Sequence, residues 1–245
     1  MYAVFVLWFR FLEVKSSFVR RLRFIALRLL LLFFGISIIW VVILRFLPVW
    51  VTPYMLSRKI EAFREDKDTE LFHDWEPYEN ISKEVALAVV ASEDQNFPKH
   101  WGFDFDQIYN AVTEKRKRAR GASTISQQVA KNVFLWHGRS YLRKGLEVYF
   151  TVLIELIWDK ERILEVYLNV AEMGEMTFGV EAASLRYYNK SAKKLTRYEA
   201  ARIAAVLPNP IRFSIRNPSN YVNKRTGQIV RQMRYLGGQK YLDNL

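Results

Sequence analysis

Residues 29–44 read LLLLFFGISIIWVVIL, sixteen positions without a charge. No other feature constrains the fold as much. A core helix of a water-soluble domain rarely runs this long without a polar face, and this run has none. Extended to residues 24–51, it is long enough to cross a bilayer. Arg28 and Arg45 can reach the two interfaces, and Trp50 suits an interfacial aromatic belt. No small-residue cleavage site follows, so the expectation is an uncleaved single anchor rather than a signal peptide.

Charge then gives an orientation. The chain has 245 residues and a formal net charge of +12. Nine basic residues against Glu13 alone fall within residues 1–59, so most of the excess surrounds the apolar run. The N-side flank (Arg10, Lys15, Arg20, Arg21, Arg23 and Arg28) outweighs the C-side flank. That bias puts the N-terminus in the cytoplasm and the chain after about Val51 outside. It also argues against nucleic acid as a partner, because the basic excess is explained by topology.

The expected organisation is a basic cytoplasmic N-terminus (1–23), a transmembrane anchor (24–51), a solvated acidic lead-in (52–80) and a folded domain (81–245). With only 10 Gly and 7 Pro, and no convincing period-two alternation, the domain is expected to be mainly α. The absence of Cys excludes a disulfide framework, thiol catalysis and a Cys-ligated metal. Helix starts are written at Thr124, at Ser140 and in the box formed by Thr196 and Glu199. Pro208 and Pro210 stop the helix that begins after Thr196.

Several segments carry candidate chemistry. Glu93 and Asp94 close a strongly apolar helix, where Val89, Val90 and Phe97 would desolvate a carboxylate and raise its pKa. A solvated helix end would read the same way, and this segment alone does not separate the two. Ser123 and Thr124 sit at a helix start whose free N–H groups suit a phosphate, although a plain cap is the simpler reading. Gln127, Gln128 and Lys131 then place amides and an ammonium close together on the next helix.

Arg139 follows in a loop. Arg143 and Lys144 precede Glu147 at helical spacing, in the less favourable basic-then-acidic order. Gly145 in mid-helix suggests that something approaches the backbone there. Two carboxylates and several cations suit transfer from a phosphorylated donor. No HExxH, P-loop, GxGxxG or GxSxG pattern is present.

EDQNFPKHWG (93–102) resembles the first motif of the peptidoglycan glycosyltransferases, a family found as N-terminal domains of bifunctional penicillin-binding proteins and as stand-alone enzymes. GASTISQQVAKN (121–132), RKGLE (143–147), KERILEVYLN (160–169) and EAARIAAVLPNP (199–210) resemble the second to fifth motifs, in order. No SxxK, SxN and KTG set accompanies them, so the stand-alone, anchored form is expected, without transpeptidase activity.

The resemblance implies a two-lobed, lysozyme-like helical domain whose lower lobe dips into the membrane. It implies polymerisation of lipid II into β-1,4-linked glycan with release of undecaprenyl pyrophosphate, in the service of cell-wall biogenesis and cell shape. By the same resemblance Glu93 is the general base and Glu147 the second catalytic carboxylate. Lys131 and Arg139 would contact pyrophosphate. Asp94, Ser123, Thr124, Gln127, Gln128, Arg143, Lys144 and Asn169 would line the substrate cleft, and Lys115–Arg120 falls in a segment beside the donor site.

It leaves room for a divalent cation, magnesium or manganese, with Glu147 the candidate ligand. It implies no nucleotide and no organic cofactor. Implied partners are lipid II, the growing glycan, the membrane, and cell-division or other wall-synthesis proteins. The implied location is the inner membrane, single-pass, with the catalytic domain periplasmic. An aromatic stripe (Phe134, Leu135, Trp136, Tyr141, Tyr149 and Phe150) is expected to be part core and part membrane-facing. Two other readings compete: a lysozyme-like enzyme that cleaves peptidoglycan, and a non-catalytic membrane-anchored scaffold.

Overall fold

The structure is a computed structural model that describes residues 2–113, 123–136, 138 and 140–245. It is mainly α, as expected, and divides into two units, Met1–Leu44 and Arg45–Leu245.

The first unit is one helix, α1 (Tyr2–Leu44). Its stretch Phe18–Leu44 is long and apolar enough to cross a membrane. Leu29, Leu30, Leu31 and Leu32 are all exposed, which is not the pattern of a core helix. The helix ends at Leu44, whereas the sequence pattern carried the anchor to Val51. Pro48 accounts for the difference: it lacks an N–H and disfavours helical backbone at Leu47.

The second unit opens with α2 (Pro53–Arg64), capped by Thr52, whose side chain accepts from Met55 N at 3.1 Å. A short strand β1 (Phe72–His73) follows. The lead-in expected to be solvated is therefore partly folded, and Trp75 within it is buried. The acidic residues around Asp66–Glu70 masked this, because they sit between two short elements rather than throughout.

Two helical groups form the core. One packs α3 (Lys83–Glu93) against α9 (Arg197–Val206) and α10 (Asn220–Tyr235). The other packs α5 (Ile125–Phe134) against α6 (Tyr141–Ile157) and α7 (Lys160–Val170). The helix α4 (Phe105–Thr113) lies between α3 and α5 in sequence. Val85–Ala91 are buried without a break, so α3 is a core helix with protein on every side. The expected starts are all present: Thr124 and Gln127 make a reciprocal capping box, Ser140 caps α6, and Thr196 and Glu199 make the second box.

The sequence pattern gave no sign of the small sheet. Strands β2 (Glu172–Gly174) and β3 (Thr177–Phe178) pair antiparallel, and β1 joins β3 in parallel, giving the order β1-β3-β2. Strands of two or three residues are too short to show alternation. The helix α8 (Val180–Tyr188) starts directly after Gly179, whose φ is +83°. A Cβ there would stand 2.6 Å from the Asn169 carbonyl oxygen, so glycine is required.

Candidate active site

Glu93 is the last residue of α3, and the chain turns immediately after it. Asp94 is the C-cap with non-helical backbone, φ −157°, so the two carboxylates do not share a helix. They have different surroundings. Gln128 on α5 donates its amide Nε2 to Glu93 Oε2 at 3.0 Å. The Tyr167 hydroxyl on α7 donates to Gln128 Oε1 at 3.3 Å. Burial holds the Tyr167 phenol protonated well above its usual range, so it acts as the donor.

Glu93 thus joins the two helical groups. Its residue surface is only partly covered, yet its carboxyl lies deep among protein atoms. Burial raises its pKa above the usual glutamate range. Gln128, the Arg225 charge and Ser92 oppose that rise, and Asp94 adds to it. Arg225 stands on α10 and donates to the Ser92 carbonyl at 3.1 Å.

Asp94 is 1% exposed and spends its acceptors inside the fold. It takes His100 Nε2 at 2.9 and 3.0 Å and the Ile125 N–H at 3.0 Å, a free donor of the first turn of α5. Thr124 donates to the Gly102 carbonyl at 2.6 Å, tying the 93–102 segment to the same helix start. Gln127 closes the box by accepting from Thr124 N at 3.0 Å. Asp94, Thr124 and Gln127 are buried and Ser123 is exposed.

Beside this lies a basic cluster. Glu147 on α6 is 3% exposed and accepts from Arg143 Nη1 at 2.7 Å and Lys144 Nζ at 2.5 Å. Lys131 on α5 lies within electrostatic range of the same group. Burial lowers its pKa; Glu147 opposes that, Arg143 and Lys144 reinforce it, and Glu93 opposes it. Lys131 therefore senses both carboxylates, and Arg143, Lys144, Glu147 and Glu93 belong to one electrostatic neighbourhood.

Asn169 sits apart from this pair. It is fully buried, donates to the Glu76 and Glu165 carbonyls at 2.9 Å each, and accepts from Glu76 N at 2.8 Å, stitching Glu76 to α7. Arg139 and Lys115–Arg120 lie outside the described residues.

At Gly145 a Cβ would meet nothing within 4 Å, so no protein group approaches the backbone there and the space beside it is open. The aromatic stripe divides into a core part and an exposed part. Leu135 and Phe150 are buried, Phe134 stacks on Phe150 at 4.6 Å, and Trp136 and Tyr141 are exposed.

The sequence reading missed Tyr167 and Arg225 as neighbours of Glu93. Tyr167 lies within KERILEVYLN but also on the apolar face of α7, where it reads as core. Arg225 lies in none of the five segments and carries no local signal.

A divalent cation does not fit Glu147. Both carboxylate oxygens already take cationic donors, and Lys131 adds positive charge. Among the described residues no group of three or more His, Asp or Glu could hold a metal.

A desolvated carboxylate beside a cluster of cations has the chemistry that acid–base transfer from an anionic donor calls for. Residues 58–234 match the family model for transglycosylases, and the chain belongs to that family. It is 50% identical over 232 residues to the biosynthetic peptidoglycan transglycosylase of Pseudomonas putida strain F1, covering 94% of this chain and 97% of that protein. The proteins of the same name from Pseudomonas entomophila (51%) and Pseudomonas syringae pv. syringae (49%) each match over 232 residues, with the same coverage.

Proposed function

We propose that the protein polymerises peptidoglycan glycan from lipid II, with Glu93 as general base. Family membership and the names of the relatives support the reaction class, a peptidoglycan glycosyltransferase. The observation that carries the base assignment is the raised pKa of Glu93, held by Gln128 at the rim of a cationic cluster.

In this reading Glu93 takes the proton from the 4-hydroxyl of the incoming lipid II. That oxygen attacks C1 of the growing chain, a new C–O bond forms, and the C1–pyrophosphate bond breaks. The electron pair leaves on undecaprenyl pyrophosphate. A single displacement inverts the α-linked donor to a β-linked product. Lys131, Arg143 and Lys144 stabilise the charge that develops on the leaving group, and Glu147 fixes two of those cations in place. Arg139 would join them.

The chain is anchored by Phe18–Leu44 with its N-terminus in the cytoplasm, so that Arg45–Leu245 faces the periplasm, where lipid II is presented. The arginine-rich N-side flank supports that orientation. Cell-division and other wall-synthesis proteins are partners that the resemblance implies.

The test is incubation of detergent-solubilised protein with labelled lipid II, followed by size separation. The expected product is polymer that lysozyme digests. Fragments from mature peptidoglycan with no polymer from lipid II would replace this reading with a cleaving enzyme.

A further inference from the structure

After α10 the chain passes through Gly237 and Gly238, with φ of +93° and +72°, into a last 3₁₀ helix, Gly238–Asn244. This helix lies beyond residues 58–234, the part that matches the family model. It is packed nonetheless: Leu242 is buried, and the helix lies against α3 and α10.

Its side chains reach both ends of α3. At the start, Gln239 Nε2 donates to Glu84 Oε1 at 2.7 Å, and Lys83 Nζ meets Asp243 Oδ1 at 3.1 Å. At the far end, the Tyr241 hydroxyl donates to the Gln95 carbonyl at 2.6 Å. Burial and the neighbouring Asp94 raise the Tyr241 pKa, so the phenol is a donor at neutral pH. Lys99 Nζ stands 5.9 Å from the centre of the same ring.

Gln95 follows Glu93 and Asp94 directly. On their other side the Ser92 carbonyl takes Arg225 of α10 at 3.1 Å. The two carboxylates are therefore bracketed by carbonyls that the C-terminal part of the chain holds. Peptide planes are rigid, so fixing one on each side leaves the backbone between them little freedom. The turn needs that restraint, because adjacent residues must aim apart: Glu93 towards Gln128, and Asp94 towards His100.

We propose that Tyr241 is a positioning residue for glycan polymerisation: by holding the Gln95 carbonyl it keeps the Glu93 carboxylate aimed at the reacting hydroxyl. This rests on reading Glu93 as the general base. Without the phenol hydroxyl the turn after α3 loosens, and Glu93 spends less time in the productive orientation. The loss falls on kcat rather than on substrate binding.

Tyr241→Phe keeps the ring and removes only the hydroxyl. As a full chain in detergent, it should polymerise lipid II with kcat about three- to tenfold lower and KM within about twofold. Asp243→Asn breaks an exposed ion pair at the other end of the same helix and should leave kcat unchanged. In a Glu93→Gln background, adding Tyr241→Phe should cause no further loss, because the group it positions is gone. An unchanged kcat in Tyr241→Phe overturns the positioning role. So does an equal fall in Asp243→Asn, or the same fold-loss with and without Glu93. Near-normal activity of Glu93→Gln alone overturns the base assignment, and the positioning role with it.

Discussion

Gln128 Nε2 stands 3.0 Å from Glu93 Oε2, a bond that ties the end of α3 to α5. The amide cannot turn round without cost, because its oxygen accepts from Tyr167 at 3.3 Å. A carboxylate that burial drives towards its neutral form thus keeps a donor that favours its charged form. A general base needs that balance, being ionised in use yet basic enough to accept a proton.

Tyr167→Phe tests the relay. Without the hydroxyl the Gln128 amide is free to turn away, and Glu93 loses a donor to its charged form. The acid limb of kcat/KM should move to higher pH, by about 0.7 unit for a bond worth ~1 kcal/mol. A pH–rate profile decides it. Lower activity at every pH with an unmoved limb would make Tyr167 a packing residue only.

Glu93 should also leave a mark on stability. Its folded pKa is raised, so the folded state holds this proton more tightly than the unfolded chain. Its stabilising contribution is present below the ordinary glutamate pKa and is lost as pH rises through the raised value. Glu93→Gln should therefore melt higher than the natural protein at pH 7.5. The gain should shrink towards pH 4. Equal melting temperatures at pH 7.5 would contradict the desolvation account.

Asp94 plays a different part. Replacing it with Ala removes the acceptor of His100 Nε2 and of the Ile125 N–H in a buried place. The loss should be about 2–4 kcal/mol in urea denaturation. An unchanged midpoint, with activity lost, would instead give Asp94 a role at the substrate.

Glu147 orders cations rather than a metal. Glu147→Gln weakens its hold on Arg143 and Lys144 and should lower kcat/KM about 10–100-fold. EDTA should leave the natural protein's rate within about twofold, since no step here requires a divalent ion at that carboxylate. A large loss on chelation, reversed by magnesium or manganese, would show that the cation cluster opens to admit one.

How legible this was depended on whether a signal was local. Helix starts at Thr124, Ser140 and Thr196 were readable because a cap is written in one side chain and one spacing. The apolar run before Glu93 made its burial one of two open readings, and the packing of α3 decides between them. The separate fates of Glu93 and Asp94 were not readable, because they depend on where α3 stops, and terminal residues are weakly specified by pattern. Arg225 comes from a helix more than a hundred residues away, and only packing brings it to Ser92.

The central claim is that Glu93 removes the acceptor proton. The most direct measurement compares Glu93→Gln with the natural chain, in detergent, for both lipid II binding and polymer formed per unit time. The account expects polymerisation to fall by at least about 100-fold while lipid II binding stays within a few-fold. Near-normal polymer formation by Glu93→Gln would contradict it and pass the role of base to another group.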